Sequence, residues 1–161
     1  MENYCEIERK FLVKLDAIPY DISVLPKIEI TQGYLTKDPA IRVRSTGDNR
    51  FYMTFKGKTE DELVRREVEL PITKDAYEIL MGHESTKKIR KNRYLVHENG
   101  KKFEIDIFEE QLKGLAFLEV EFENQEEAEQ FMIPAWVDKE VTGDVRYTNS
   151  QLAFGTMIME K

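Results

Sequence analysis

The segment from residue 5 to residue 13, close to the N-terminus, constrains the fold of this chain more than any other. Charged residues occupy alternate positions in it, at Glu6, Glu8 and Lys10, and the positions between them are mostly apolar. Side chains two positions apart share one face of a β-strand, whereas a helix would scatter the same charges around its axis. The segment therefore predicts a strand with one ionic face, on which two carboxylates and an ammonium lie in a row.

The same alternation recurs along the chain. Arg42 and Arg44, for example, are two positions apart with a valine between them. Residues 47–49 and 99–100 are typical of tight turns between antiparallel strands. The chain is therefore predicted to form about eight antiparallel strands. The segments with the pattern or composition of a strand are residues 5–13, 28–35, 40–45, 50–55, 63–70, 87–96, 102–109 and 115–123.

Three short segments are predicted to be helical. Thr73 can cap a helix over residues 74–81, and Asn124 can start a second helix that runs to Met132. A short terminal helix is expected within residues 136–152. The sequence has no internal repeat and no linker-like stretch, so the whole chain, residues 1–161, is predicted to be a single domain.

The ionic faces predict how the strands are arranged. The polar face of an ordinary antiparallel sheet is a solvated mixture of side chains. Here, Glu, Asp, Lys and Arg stay in phase on strand after strand. A sheet of eight strands that closes into a barrel can turn all of these side chains inward and still leave room for a ligand. The predicted fold class is therefore mainly β with a few helices (α+β), built as a closed, eight-stranded antiparallel barrel.

Composition narrows the functional classes. A formal charge of −7 argues against a general nucleic-acid-binding surface, and no apolar run is long enough to span a membrane. The single cysteine, Cys5, allows no disulfide within the chain, and the first residues lack the pattern of a secretory signal. We therefore expect a cytoplasmic protein with no nucleic-acid or membrane partner. A homodimer is compatible with this kind of barrel, but no residue pattern specifies one.

The side chains predicted to point inward include both acids and bases. Arginine forks suit phosphate groups, and clustered carboxylates suit Mg²⁺ or Mn²⁺. Zinc is disfavoured because the chain has only His83, His97 and one thiol as softer ligands. A cavity with both signs of charge predicts binding of a metal–polyphosphate complex. The predicted inward acids are Glu6, Glu8, Glu67, Glu69, Glu104, Asp106, Glu119 and Glu121, and the predicted inward bases are Lys10, Arg42, Arg44, Lys56, Arg65, Lys91 and Arg93.

Other interpretations of these patterns remain open at this point. Any one of the charged strands, taken alone, is more often a solvated face of a sheet, and it is the repetition over several strands that favours a shared interior. Cys5 and His97 could form a nucleophile pair, but the sequence supplies no third group to orient them. The same basic residues could also serve a non-catalytic module that binds polyphosphate or a nucleotide.

The motif Glu-Ile-Glu-Arg-Lys-Phe-Leu-Val at residues 6–13 resembles the ExExK motif of the CYTH superfamily, the triphosphate tunnel metalloenzymes. The resemblance extends to about residue 153, and the ordered set of motifs is more specific than ExExK alone. The further segments that resemble the family are residues 32–35, 41–44, 56–57, 65–69, 91–94, 104–108, 119–121 and 141–149.

This resemblance implies an eight-stranded tunnel that binds a linear triphosphate together with a divalent metal, Mg²⁺ or Mn²⁺. The short chain and its compact start look most like the small bacterial tripolyphosphatases. We therefore expect a metal-dependent hydrolase that acts preferentially on inorganic tripolyphosphate and releases orthophosphate. The alternatives are a class IV-type adenylate cyclase, a thiamine or nucleoside triphosphatase, and a polyphosphate- or nucleotide-binding module without catalysis.

The resemblance also implies roles for individual residues. Tyr34 matches a family tyrosine that works with the ExExK lysine, here Lys10, at the reacting end of the substrate, and a wall residue that only donates a hydrogen bond is an equal alternative for Tyr34. Lys139 stands where some relatives have arginine, which leaves its role open. The implied metal ligands are Glu6, Glu8, Asp106, Glu119 and Glu121, with Glu67 and Glu69 for a second metal or a water. The implied phosphate ligands are Lys10, Arg42, Arg44, Lys56, Arg65, Lys91 and Arg93.

Overall fold

The computed structural model describes residues 2–61 and 63–155 of the chain. Strands predominate, and the described helices are short. The strands are β1 (Glu2–Leu12), β2 (Lys27–Thr36), β3 (Ala40–Ser45), β4 (Phe51–Lys58), β5 (Val64–Pro71), β6 (Lys87–Glu98), β7 (Lys101–Phe108), β8 (Ala116–Phe122) and β9 (Lys139–Glu140). The α-helices are α1 (Lys74–Gly82), α2 (Gln125–Gln130) and α3 (Asn149–Ala153).

Eight of the strands form a closed antiparallel barrel, as the sequence predicted. The order around the sheet is β5-β4-β3-β2-β6-β7-β8-β1, and β1 pairs back with β5 to close it. Strand β1 is the seam: its first half, up to Ile7, pairs with β5, and its second half, from Ile7 onward, pairs with β8. Beyond the reach of β5, the open edge of β1 is covered by β9, which pairs with Phe11 and Leu12.

The register between strands keeps the ionic residues on one face. Residues directly opposite each other in an antiparallel pair point to the same side of the sheet. The predicted inward residues therefore lie on the inner face of the sheet. The opposed pairs include Glu6 with Arg65, Lys10 with Glu119, Lys56 with Glu67, and Arg93 with Asp106.

Two apolar clusters stabilise the barrel. The first lies between the outer face of β1, β7 and β8 and helix α2, with Phe131 and Trp136 packed against it. The second closes one end of the interior, where the inward positions of β6, β7 and β8 change from ionic to apolar at Ile89, Phe108 and Phe117. This second cluster also includes Val141, Tyr147 and Leu152 from the C-terminal part of the chain.

The predicted turns and helix starts are confirmed where the structure describes them. Thr73 accepts a hydrogen bond from the backbone of Ala76 at the start of α1, and Asn124 caps α2 in the same way. Helix α2 ends at Gln130, two residues before the predicted end at Met132. Among the described residues, none of the helices is long and apolar enough to span a membrane.

Gly33 in β2 explains one segment of the sequence motif, because α1 packs directly over it. A methyl group at Gly33 would overlap the sulfur of Met81 and lie 2.6 Å from Cγ2 of the buried Thr86. We expect Gly33→Ala to lower the free energy of unfolding by about 1–3 kcal/mol, as overpacking does in other cores. Urea denaturation measures the change.

Gly57 in β4 provides the matched control for this substitution. A methyl group there would approach no other atom closer than 3.9 Å. Gly57→Ala should therefore leave the stability within about 0.5 kcal/mol of wild type. Equal effects of the two substitutions would contradict the packing described for α1.

Candidate active site

A cavity of about 490 Å³ lies inside the barrel near the end that the second apolar cluster closes. Strands β1 to β5 and β8 form one side of it. The other side is the closing segment, which we define as residues 139–147, together with the start of α3. The side chains predicted for the site that line this cavity are Glu8, Lys10, Tyr34, Arg42, Lys56, Arg65 and Glu119.

Basic side chains dominate the wall formed by β3, β4 and β5. Arg42 is 6% exposed, and its Nε has no hydrogen-bond partner in the described part of the chain. Its Nη2 lies 3.9 Å from the carboxylate of Glu67, and the guanidinium also contacts the hydroxyl of Tyr34. Lys56 is 3.5 Å from Glu6. Cations held this loosely can accept an anion without first breaking strong ion pairs.

Two lysines that the sequence analysis did not single out also line the cavity. Lys58 follows Lys56 on the same face of β4, opposite Arg65 on β5. Its two-residue spacing from Lys56 is a signal that could have identified it. Lys37 lies in the turn between β2 and β3, with its ammonium 5.8 Å from the ring of Phe154. No strand periodicity marks Lys37, because it is in a turn.

Lys10 is held from several sides. Its ammonium donates a hydrogen bond to the backbone carbonyl of Tyr147 at 2.6 Å and lies 4.2 Å from the centre of the Phe117 ring. The carboxylate of Glu119 is 3.9 Å away. Burial lowers the pKa of Lys10 from its ordinary value, and Glu119 and Glu8 oppose that shift. The ammonium is therefore fixed at the cavity wall beside an acid.

Three carboxylates, the buried Glu119 and the half-buried Glu6 and Glu8, face one another across β1 and β8. Burial and the charges of Glu119 and Glu6 raise the pKa of Glu8 to about 8. Burial, with repulsion from Glu67 and Glu119, also raises the pKa of Glu6, although Lys56 opposes the shift. Burial disfavours the charged form of Glu119 as well, but Arg93 and Lys10 outweigh it and lower its pKa. At Glu6 and Glu8, burial and the neighbouring carboxylates thus disfavour the charged form more than the nearby bases favour it.

These carboxylates fit a hydrated divalent cation. Within residues 2–61 and 63–155, no three histidine, cysteine or acidic side chains are close enough to enclose a metal ion by themselves. The available donors are carboxylate oxygens, which Mg²⁺ and Mn²⁺ prefer, and Mg²⁺ usually keeps several waters and shares substrate phosphate oxygens. A cation there would also relieve the repulsion that raises the pKa of Glu8.

Asp106 is the centre of a buried ion-pair network on β6, β7 and β8. It is 1% exposed and accepts hydrogen bonds from Nε and Nη2 of Arg93, at 2.7 and 2.8 Å, and from Nζ of Lys91, at 2.7 Å. Arg93 also contacts Glu104 at 2.9 Å and Glu119 at 3.3 Å. Burial alone would raise the pKa of Asp106, but Arg93 and Lys91 hold it well below its ordinary range.

The lining of the cavity does not include the other predicted site residues, which are Glu6, Arg44, Glu67, Glu69, Lys91, Arg93, Asp106 and Glu121. Arg44 pairs with Glu69 at 3.3 Å, and Glu69 also accepts a hydrogen bond from Thr54. Burial and the neighbouring arginines lower the pKa of Arg44 to about 10. Glu121, opposite Glu8 on the neighbouring strand, is exposed. The seven predicted metal ligands therefore occupy different environments, and the carboxylate of Glu8 is the one that both Glu6 and Glu119 repel.

Tyr34 lines the cavity, whereas Cys5 and His97 lie outside its lining. The hydroxyl of Tyr34 accepts a hydrogen bond from Gln32 at 3.4 Å and contacts Arg42, and Tyr34 and Lys10 line the same cavity. Cys5 is exposed opposite Arg66, and His97 is exposed opposite Lys102. The register thus pairs Cys5 and His97 with different strands, which gives no support to a joint nucleophile.

Comparison with known proteins agrees with this geometry. The CYTH domain family matches residues 5–135. The inorganic triphosphatase of Nitrosomonas europaea is 36% identical over 152 residues, which cover 92% of this chain and 96% of that protein. The inorganic triphosphatase of Acetivibrio thermocellus is 37% identical over 150 residues, which cover 91% and 92%. The crystal structure of an inorganic triphosphatase superposes with a TM-score of 0.67 at 34% identity, covering 95% of this chain and 97% of that one.

Proposed function

Because this chain belongs to the CYTH domain family, we propose that it is a metal-dependent hydrolase of triphosphates that prefers inorganic tripolyphosphate and releases orthophosphate. The observation that supports this most is the cavity in which loosely paired cations face the carboxylates of Glu8 and Glu119, which repel each other. Two relatives that match this chain over more than nine-tenths of its length are named inorganic triphosphatases.

The basic wall binds the phosphate chain in this proposal. Arg42 and Arg65 offer planar forks to phosphate oxygens, and Lys10 and Lys56 offer point charges. Lys58 and Lys37 extend the same wall. Deeper in the interior, Lys91 and Arg93 are already fixed by Asp106, so they present oriented donors rather than mobile ones.

The acidic side of the cavity holds the metal. Glu6, Glu8 and Glu119 are the proposed first ligands, with Glu67, Glu69, Asp106 and Glu121 as the wider set of acids around them. A bound Mg²⁺ or Mn²⁺ supplies charge neutralisation for the phosphates and orientation of an attacking water. Asp106 meanwhile orients Arg93 and Lys91 through its three hydrogen bonds.

Tyr34 is proposed to act at the reacting end of the substrate together with Lys10. Both residues line the cavity, and Arg42 contacts the tyrosine hydroxyl. The hydroxyl in that position can donate a hydrogen bond to a phosphate oxygen, and its phenolate form can accept a proton from the attacking water. Tyr34→Phe separates the two roles, because loss of a proton acceptor lowers kcat far more than it raises KM.

The aromatic residues of the cavity support a preference for an inorganic substrate. Among the described residues that line it, the aromatic ones are Tyr34 and Tyr147, which are 3% and 4% exposed. Tyr147 packs edge-on against Phe117. Stacking of a nucleobase needs an accessible ring face. Both rings are covered by the protein, so the cavity favours a bare phosphate chain over a nucleotide.

A product-resolved substrate screen tests the proposal. Tripolyphosphate, ATP, GTP, thiamine triphosphate and pyrophosphate are each incubated with the protein and with Mg²⁺ or Mn²⁺. We expect the highest kcat/KM with tripolyphosphate, and orthophosphate among its products. Pyrophosphate and cyclic AMP from ATP would identify a cyclase instead. Tripolyphosphate binding without turnover under any of these conditions would identify a binding module.

A further inference from the structure

The closing segment contacts Lys10 through both its backbone and its side chain. The hydroxyl of Thr142 accepts a hydrogen bond from the backbone N–H of Lys10 at 2.9 Å. The backbone N–H of Val141 donates to the carbonyl of Lys10 at 2.8 Å. The carbonyl of Tyr147 accepts a hydrogen bond from the Lys10 ammonium at 2.6 Å. One segment, more than 130 residues away in the chain, thus holds three groups of a single lysine.

Strand β1 needs these contacts because its neighbour β5 stops short. Ile7 is the last residue of β1 that pairs with β5, so the edge of β1 that β5 covered is left open at Lys10. A backbone N–H at a partly buried position must find another acceptor. The hydroxyl of Thr142 is that acceptor, and it stands where a neighbouring strand would present a backbone carbonyl.

Thr142 is itself anchored. Its hydroxyl donates to Glu140 at 2.7 Å, and the same carboxylate binds Arg9 through two hydrogen bonds of 2.6 and 2.8 Å. Arg9 in turn donates to the carbonyl of Ala128 in α2. The Thr142 hydroxyl therefore has both of its hydrogen-bonding roles filled in one orientation, with Lys10 as donor and Glu140 as acceptor.

The side chain of Lys10 is fixed on the cavity side of the same arrangement. Its ammonium lies over the Phe117 ring, and the ring of Tyr147 packs edge-on against that same ring at 6.2 Å. A shift of residues 145–147 would move the Tyr147 carbonyl, which accepts the hydrogen bond from the ammonium. It would also move the Tyr147 ring, which packs against Phe117. The position of the ammonium in the cavity thus depends on where the closing segment sits.

We propose that Thr142 is a positioning residue: through its hydrogen bond to Lys10, and through the Tyr147 carbonyl that its segment presents, it sets where the Lys10 ammonium meets the substrate. This inference rests on the proposed triphosphatase function. It assigns the closing segment a part in the reaction, beyond closing one end of the barrel.

Kinetics of Thr142→Val test the inference, because valine keeps the shape and removes the hydroxyl. We expect kcat for tripolyphosphate to fall by about tenfold or more and KM to change by less than about threefold. Thr142→Ser, which restores the hydroxyl, should recover most of the lost kcat. Thr46→Val is the matched control, since the Thr46 hydroxyl bonds Asp48 in the β3–β4 turn, away from the cavity lining.

A double-mutant cycle separates positioning from a general effect on the fold. If Thr142 acts through Lys10, adding Thr142→Val to Lys10→Ala should change kcat by less than about twofold. A further tenfold loss in that background would overturn the inference, and so would a wild-type kcat in Thr142→Val. Glu140→Gln, at an exposed anchor, is the second variant if the valine protein does not fold, and it should lower kcat in the same direction.

Wild-type turnover is measured first, because it distinguishes a failure of the proposed function from a failure of the inference about Thr142. Absence of triphosphate hydrolysis in the wild-type protein would contradict the proposed function and the inference together. Normal hydrolysis in the wild type with an unaffected Thr142→Val would contradict the inference alone. Melting temperatures of all the variants show whether a kinetic loss follows unfolding, which would also count against positioning.

Discussion

Replacing Glu8 by glutamine is expected to lower the turnover of tripolyphosphate at least about a hundredfold without destabilising the fold. Glutamine keeps the shape of the side chain but loses the charge that a divalent cation needs. Burial, together with repulsion from Glu119 and Glu6, already disfavours a charged group at this position. Phosphate release and thermal melting without metal, measured on the same protein, test both halves of this expectation.

The sign of the stability effect follows from the pKa of Glu8. Its folded-state value of about 8 lies above the ordinary value of 4.5, so the folded protein holds this proton more tightly than the unfolded chain does. The stabilisation is complete below pH 4.5 and is lost as the pH rises to about 8. Without metal, Glu8→Gln should therefore melt at or above the wild-type temperature at pH 8.

Glu29→Gln is the control for Glu8→Gln, because Glu29 is an exposed strand residue paired only with Lys27 among the ion pairs described. It should leave both turnover and melting temperature near wild type. Full activity in Glu8→Gln would contradict the assignment of Glu8 to the metal. A strongly lowered melting temperature would contradict the repulsion described for this carboxylate.

Asp106→Asn is expected to lower the free energy of unfolding by about 3–5 kcal/mol, the usual cost of removing one partner from a buried ion pair. The substitution leaves the buried Lys91 and the half-buried Arg93 without the carboxylate that bonds both of them. Lys91 is 2% exposed, so water cannot readily replace the lost acceptor. Urea denaturation at neutral pH without metal measures the change.

The stability of the two proteins in acid independently tests whether the charge of Asp106 stabilises the fold. Its pKa is held below the ordinary value of 3.8, so its contribution to stability is present above that pH and is lost as the pH falls toward the lowered value. The difference between wild type and Asp106→Asn should therefore shrink in strong acid. A constant difference at every pH would show that packing, not charge, is responsible.

The exposed pair of Arg90 and Glu110 provides the matched control for Asp106→Asn. Their side chains are 3.3 Å apart but about half exposed. Glu110→Gln should cost less than about 1 kcal/mol, because exposed ion pairs contribute little. A loss as large as that of Asp106→Asn would contradict the role that we assign to burial.

The barrel could be predicted from the sequence because side-chain direction in a strand alternates with a period of two. A register slip of one residue would turn Glu6, Glu8 and Lys10 toward solvent and their apolar neighbours inward. The in-phase charges on other strands impose the same restriction on each of them. Turns such as Asn99–Gly100, with both residues at positive φ, fixed the connections.

The partners of individual charges could not be predicted, because they depend on the register between strands. Arg93 lies opposite Asp106 in the β6–β7 pair, and this places both charges in one buried network. A two-residue shift would have given Arg93 a different partner without changing the sequence pattern. Glu121 likewise has the inward phase, yet it is exposed.

The contact between the closing segment and Lys10 also could not be predicted from the sequence. Thr142 and Lys10 are 132 residues apart, and their hydrogen bond joins a side chain to a backbone group. Neither strand periodicity nor residue spacing marks such a bond. The resemblance did extend to residues 141–149, but the role that we propose for this segment follows from where β5 ends along β1.

Phosphorus NMR of tripolyphosphate incubated with the wild-type protein and Mg²⁺ or Mn²⁺ tests most directly whether the shared ionic interior is a triphosphatase site. We predict that the substrate signals are replaced by those of orthophosphate and pyrophosphate in equal amounts, and that excess EDTA stops the reaction. Unchanged substrate signals with both metals, or hydrolysis that continues undiminished in EDTA, would contradict the account.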